Sequence, residues 1–163
     1  MSQKPILRSA SIRLSMLLSS LLLLAVSGAA QQQKPDFSGL WKQDNDRCQP
    51  RRGGDVTLHI EHREPEIMIE TTIARGAAPL RRAMQKYTTD GKVSISTGTD
   101  GDEFHSATVW SDSSLAFTIE EHEDGRILHF KETWTLIENG AALERKRERP
   151  DGEKQILIYR RER

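Results

Sequence analysis

The sequence predicts an all-β domain: an antiparallel up-and-down meander of about eight to ten strands closed into a barrel, with a two-layer β-sandwich as the alternative. Three observations predict it. After residue 36, apolar residues alternate with period 2 through nearly the whole chain. No segment there repeats them at helical spacing. Asp-Gly or Asn-Gly pairs recur between the alternating runs, at Asp90-Gly91, Asp124-Gly125, Asn139-Gly140 and Asp151-Gly152, and Asp100-Gly101 sits in a looser run. Such dipeptides adopt positive φ at low cost and nucleate tight hairpin turns.

The N-terminus reads differently. Lys4, Arg8 and Arg13 form a basic leader, Met16 to Val26 is an apolar run, and Ser27-Gly28-Ala29-Ala30 supplies small residues. That order describes a secretory signal peptide over residues 1–30, cleaved after Ala29 or Ala30. The apolar run falls short of the roughly 20 residues of a spanning helix, so no stable membrane insertion is expected after cleavage. No Cys follows it directly, and Arg8 and Arg13 are not adjacent, which argues against a lipid anchor and a twin-arginine signal. The expected location is secreted or periplasmic. Residues 31–36 are expected as a flexible leader and 37–163 as one domain. Residues 1–30 carry three of the 24 basic groups and none of the 24 acidic ones, so the remainder has a small acidic excess. A general nucleic-acid binder would show the opposite. Cys48 is the sole cysteine, so no internal disulfide exists and stability must come from a packed core. It reads as a plain loop thiol, with an intermolecular bridge as the alternative.

Strands are expected near 37–43, 55–62, 67–75, 80–88, 92–97, 104–110, 115–122, 126–137, 141–149 and 154–162. Each turn fixes a register. A hairpin on Asn139-Gly140 sets Leu136 against Leu143, Trp134 against Arg145 and Glu132 against Arg147. One on Asp124-Gly125 sets Ile119 against Phe130, Phe117 against Glu132 and Leu115 against Trp134. The loop at Ser111 to Ser114 sets Trp110 against Leu115, and the turn at Arg63 to Glu66 sets Ile60 against Ile69. All four place their apolar side chains on one common face. Two registers stay open. The last hairpin turns either on two residues, with Ile156 and Ile158 inside, or on three, with Leu157 and Tyr159 inside. In the strand from Leu80 to Thr88 either Leu80, Arg82, Met84 and Lys86 or Arg81, Ala83, Gln85 and Tyr87 face inward.

The first strand reads Asp36-Phe37-Ser38-Gly39-Leu40-Trp41-Lys42. It resembles the Gly-x-Trp opening of lipocalins and other calycins. The resemblance implies a barrel in which Trp41, next to Gly39, plugs one end and an Arg of the last strand packs over its ring. Arg160 is the best match for that Arg, with Arg161 next. The chain is also similar to a group of secreted bacterial proteins of unknown function. They share the Phe-Ser-Gly-x-Trp-Lys start, a Tyr-Thr-x-Asp-Gly-Lys hairpin (here Tyr87 to Lys92) and a Trp-to-Leu turn (here Trp110 to Leu115). The strand count is nearer the fatty-acid-binding branch, although no segment matches that branch's two lid helices.

The inward charges carry the functional reading. Glu132 shares its alternation face with Phe130 and Trp134, and a carboxylate there is costly unless paired. Arg147 lies opposite and Arg145 one inward position away. One reading is a satisfied ion pair at the barrel mouth or inside a packed core; the other is that two inward Arg against one inward Glu leave one guanidinium for a carboxylate or phosphate. With Phe117, Phe130, Trp110 and Trp134 as aromatic walls, this describes a pocket for a small amphipathic, anionic ligand. The alternative is a non-catalytic structural or protein-interaction domain of the cell envelope, its barrel filled by its own side chains.

No phosphate loop or nucleophile elbow is present, and nothing singles out a catalytic nucleophile. No catalytic residue, cofactor or metal is assigned. His59 and His62 fall on opposite strand faces and cannot share an ion. All five histidines are expected at the surface, and the acidic clusters at Asp44 and Asp100 are expected as solvated turns.

Overall fold

A computed structural model describes residues 34–162, so the expected signal segment lies outside the described residues. Ten strands follow in chain order: β1 (Gly39–Gln43), β2 (Asp55–Arg63), β3 (Glu66–Ala74), β4 (Arg81–Thr88), β5 (Asp90–Thr97), β6 (Glu103–Ser111), β7 (Ser114–Glu123), β8 (Arg126–Ile137), β9 (Ala142–Glu148) and β10 (Lys154–Arg161). They form one antiparallel sheet in the order β4-β3-β2-β1-β10-β9-β8-β7-β6-β5. The β1–β10 ladder joins the first strand to the last, and the sheet curls into a nearly closed barrel in which, among the described residues, the one unpaired seam lies between β4 and β5. Closure removes the exposed edges that an open sheet of this width would present. Among the described residues the one helical element is a 3-10 turn at Glu138–Gly140, and no helix is long and apolar enough to cross a membrane.

The registers set by the turns are those observed. Leu136 pairs with Leu143, Trp134 with Arg145 and Glu132 with Arg147 across β8 and β9. Ile119 pairs with Phe130 and Leu115 with Trp134 across β7 and β8. Ile60 pairs with Ile69 across β2 and β3. The last hairpin turns on three residues, Gly152 at φ 83° taking the left-handed position, so Leu157 faces Arg145 and Tyr159 faces Leu143. In β4 the inward set is Arg81, Ala83, Gln85 and Tyr87, opposite Ile73, Thr71, Ile69 and Ile67.

Four expectations are corrected. Asp90-Gly91 makes no hairpin: it lies inside β5, and no ladder joins β4 to β5. The corner falls on Thr89, whose amide donates to Pro65 O at 2.8 Å and whose hydroxyl donates to Glu64 at 2.8 Å. Those bonds tie the corner to the β2–β3 turn and carry the chain from one sheet edge to the other. The end of the expected flexible leader is anchored, with the Lys34 ammonium 5.1 Å above the Trp110 ring and 3.6 Å from Glu64. His62 is not at the surface: its side chain is 4% exposed, packed against Phe37 and Trp110 because it shares the inward face of Ile60. Finally, the Arg over Trp41 is Arg161, not Arg160.

That closure has a clear geometry. Trp41 is fully buried and donates its indole N–H to Phe37 O at 3.0 Å. The Arg161 guanidinium lies 4.2 Å above its ring and donates to Gly140 O at 3.0 Å and Ser38 O at 2.5 Å. Gly39 has φ 141°, and a Cβ on it would lie 3.0 Å from Arg161 Nη1. A glycine two residues before the Trp is what admits the guanidinium. Arg160, one position off in parity, points outward and donates to Asp44 at 2.7 Å.

Candidate functional site

Side chains fill the barrel at the Trp41 end, where Phe37, Ile60, Ile67, Leu115 and Leu143 are buried. From the other end a cavity of about 470 Å³ runs inward. Leu58, Ile119, Leu128 and Leu157 form its walls. Tyr87, Phe130, Tyr159, Arg145 and Arg147 line its deeper part, and Arg52, Arg75, Glu121, Glu123 and Arg149 stand around its mouth. The size is typical of a site for a small organic molecule.

The Glu132 network separates the two halves. Its carboxylate side chain is 1% exposed and accepts from Trp134 Nε1 at 2.5 Å, Arg145 Nε at 2.6 Å and Arg147 Nε at 2.7 Å. Burial pushes the carboxyl up, but the two guanidinium charges and their hydrogen bonds outweigh it and hold Glu132 at about 2. Burial lowers the Arg145 pKa and Glu132 raises it, the second effect winning, so Arg145 stays charged. Arg145 lies 4.5 Å from the Trp134 ring and Arg147 lies 5.2 Å from that of Phe130, which fixes both planes. Burial raises Tyr87 to about 12 and also raises Tyr159, so both phenols remain protonated beside the cations.

Two cations thus face one anion. Among the described residues each guanidinium spends only its Nε on Glu132, and its Nη groups have no hydrogen-bonding protein partner. These groups sit where the cavity is lined by Arg145 and Arg147. Free Nη donors in a planar guanidinium can make paired hydrogen bonds to an oxygen acceptor, and aliphatic side chains form the rest of the wall.

Of the residues singled out from the sequence, Arg145, Arg147 and Phe130 line the cavity. Glu132, Trp134 and Phe117 lie beneath it in the packed part, with Phe117 and Trp134 ring centroids 4.7 Å apart. They support the site and do not line it. Trp110 belongs to the closed end, donating its indole N–H to Glu64 at 2.8 Å. Sequence reasoning assigned none of the mouth residues to the site; Tyr87, Tyr159 and Leu157 each belonged to one of two open registers.

No protein-family model and no curated protein matches the chain. Solved structures share its fold. A structure described as the REP1-NXSQ fatty acid transporter matches with a TM-score of 0.59 at 10% identity, over 78% of this chain and 97% of that one. Secretory abundant heat soluble protein 4 from Ramazzottius varieornatus matches with a TM-score of 0.62 at 12% identity, over 81% and 99%. Fatty-acid-binding protein 1 of Echinococcus granulosus matches with a TM-score of 0.56 at 10% identity, over 77% and 96%. At these identities the likeness is one of fold: an antiparallel, nearly closed β-barrel.

Proposed function

We propose that this protein is a carrier or sensor, not an enzyme, that holds a small amphipathic acid in its barrel. The anionic head binds Arg145 and Arg147, and the chain lies against Leu58, Ile119, Leu128, Phe130 and Leu157. One observation carries the reading: two guanidinium groups, balanced by a single buried carboxylate, line the inner part of an open cavity of about 470 Å³. A barrel filled by its own side chains, the alternative for an envelope interaction domain, would have no such space. Two of the solved structures sharing the fold are named for binding or transporting fatty acids, which supports the ligand class. The reading includes export, with processing after Ala29 or Ala30, so the cargo is met outside the cytoplasm; N-terminal sequencing of the purified protein checks that step.

The test varies the ligand first. The purified protein is titrated with a long-chain fatty acid and with its methyl ester. Losing a charge-assisted hydrogen bond costs about 1.5–3 kcal/mol, so the ester should bind roughly tenfold or more weakly. Arg145→Ala should then narrow the difference between acid and ester. Equal affinities for the two ligands, or no binding of either, would reject the assignment.

A further inference from the structure

We infer that the outer face of the β6–β7 hairpin holds a site for one divalent transition-metal ion of the zinc class, formed by Glu103, His105 and His122. The site is separate from the cavity, because these side chains project from the opposite face of the sheet to Phe104, Ile119 and Glu121.

Strand pairing builds it. Antiparallel register sets Glu103 opposite His122 and His105 opposite Glu120. Glu103 and His105 are two residues apart and so share a face, and His122 meets His105 on the diagonal. The two imidazoles stack with centroids 4.4 Å apart and planes inclined by 26°. His105 Nε2 lies 2.7 Å from Glu103 Oε1. One donor atom from each of the three side chains lies within 4.8 Å of the others. Tetrahedral coordination with bonds of about 2.0–2.1 Å needs donors roughly 3.4 Å apart, a closure that side-chain rotation supplies.

A second observation points to an occupant. His122 Nε2 is buried and has no hydrogen-bond partner among the described residues. A buried ring nitrogen left unmatched is costly, and a metal ion would satisfy its lone pair. Two imidazoles and one carboxylate suit zinc, and they leave a fourth position for water. Oxygen-preferring ions such as magnesium do not fit so nitrogen-rich a set. The surroundings favour retention. Ile95 lies opposite His105 and Ile127 opposite His122, so apolar side chains flank the cluster on both neighbouring strands. Glu120 pairs with His129 at 3.7 Å and adds negative charge beside the site. A bound ion would cross-link β6 to β7 near the mouth end of the barrel.

Calorimetric titration of the purified, chelator-stripped protein with zinc chloride tests this. The expected result is one ion per chain with a micromolar or tighter Kd, and no heat from magnesium. At a hundredfold excess over Kd, Tm should rise by about 5 °C or more. His105→Ala and His122→Ala should each weaken binding at least about tenfold, and Glu103→Gln by about tenfold. His59→Ala, on a distant strand, should leave it unchanged, with circular dichroism confirming that every variant is folded. Absence of zinc binding, or binding that survives loss of both His105 and His122, would overturn the assignment. Fatty-acid titrations do not enter this test, so its failure leaves the cavity reading untouched.

Discussion

Followed from one end of the barrel to the other, the inward face of each strand changes character. Along β7 it runs Leu115, Phe117, Ile119, then Glu121 and Glu123. Along β9 it runs Leu143, then Arg145 and Arg147, with Arg149 just beyond at the mouth. Leu115 and Leu143 are fully buried at the Trp41 end, whereas Glu121, Glu123 and Arg149 border the open cavity. Glu132 and its two arginines stand at the boundary. The same strands and the same alternation therefore do two jobs. One end removes apolar surface from water and stabilises the fold; the other leaves an open cavity with a charged lining at the expense of core. The packed layer that stabilises the barrel lies away from the layer that lines the cavity.

The largest expected effect separates the two ends directly. Trp41→Ala empties a site that is fully buried and should cost about 3–5 kcal/mol in urea unfolding. Leu157→Ala, in the cavity wall, should cost only about 1 kcal/mol, since water already reaches one side of it. Fatty-acid affinity should respond in the reverse order. Equal stability losses would break the division of labour between the ends.

The boundary has its own signature in pH. Glu132 is depressed in the folded state, to about 2 from an ordinary 4.5. The unfolded chain takes up this proton first as pH falls, so the stabilisation is complete above about 4.5 and disappears as pH drops towards 2. The loss across that window should be of order 3 kcal/mol. Glu132→Gln should be less stable at neutral pH, because it leaves the two guanidinium charges without their anion, and its stability curve should be flatter between those pH values. A wild-type curve without a fall there would place the stabilising charge elsewhere.

How much could be read from the sequence follows the same division. Registers at the packed end were legible because tight turns and apolar alternation agree there: Leu136 with Leu143, Leu115 with Trp134, Ile60 with Ile69. The inward position of Glu132 was legible for the same reason, as the polar residue interrupting an apolar face. The cavity was not. Lumen-facing positions need not be apolar, so Arg81, Ala83, Gln85 and Tyr87 of β4 carry no alternation to read, and the strand's register, with Tyr87 in it, stayed open. The strand β10 was ambiguous for another reason. Leu157 and Tyr159 face inward, yet Ile158 on the outer side is also only 4% exposed, its carbonyl accepting from the Asp44 amide in the β1–β2 connection. A strand covered on both faces shows a continuous apolar run and no period. The outer histidine cluster depends on which residues of β6 and β7 lie diagonally opposite, a relation that single-strand spacing does not display.

The choice of closing arginine was hostage to that same register. Arg161 shares parity with Leu157 and Tyr159; Arg160 shares it with Ile156 and Ile158. Only the three-residue turn puts Arg161 over Trp41, at 4.2 Å, and leaves Arg160 paired with Asp44 on the outside, its side chain 65% exposed. The smallest expected effect therefore tests the register itself. Arg161→Ala removes a stacked cation and bonds to Gly140 and Ser38, and should cost about 2 kcal/mol in urea unfolding. Arg160→Ala breaks an ion pair largely open to solvent and should cost no more than about 0.5 kcal/mol. If the two losses were reversed, the last strand would be one residue out of register. Ile156 and Ile158 would then point into the barrel, and Tyr159 would leave the cavity for the outer surface.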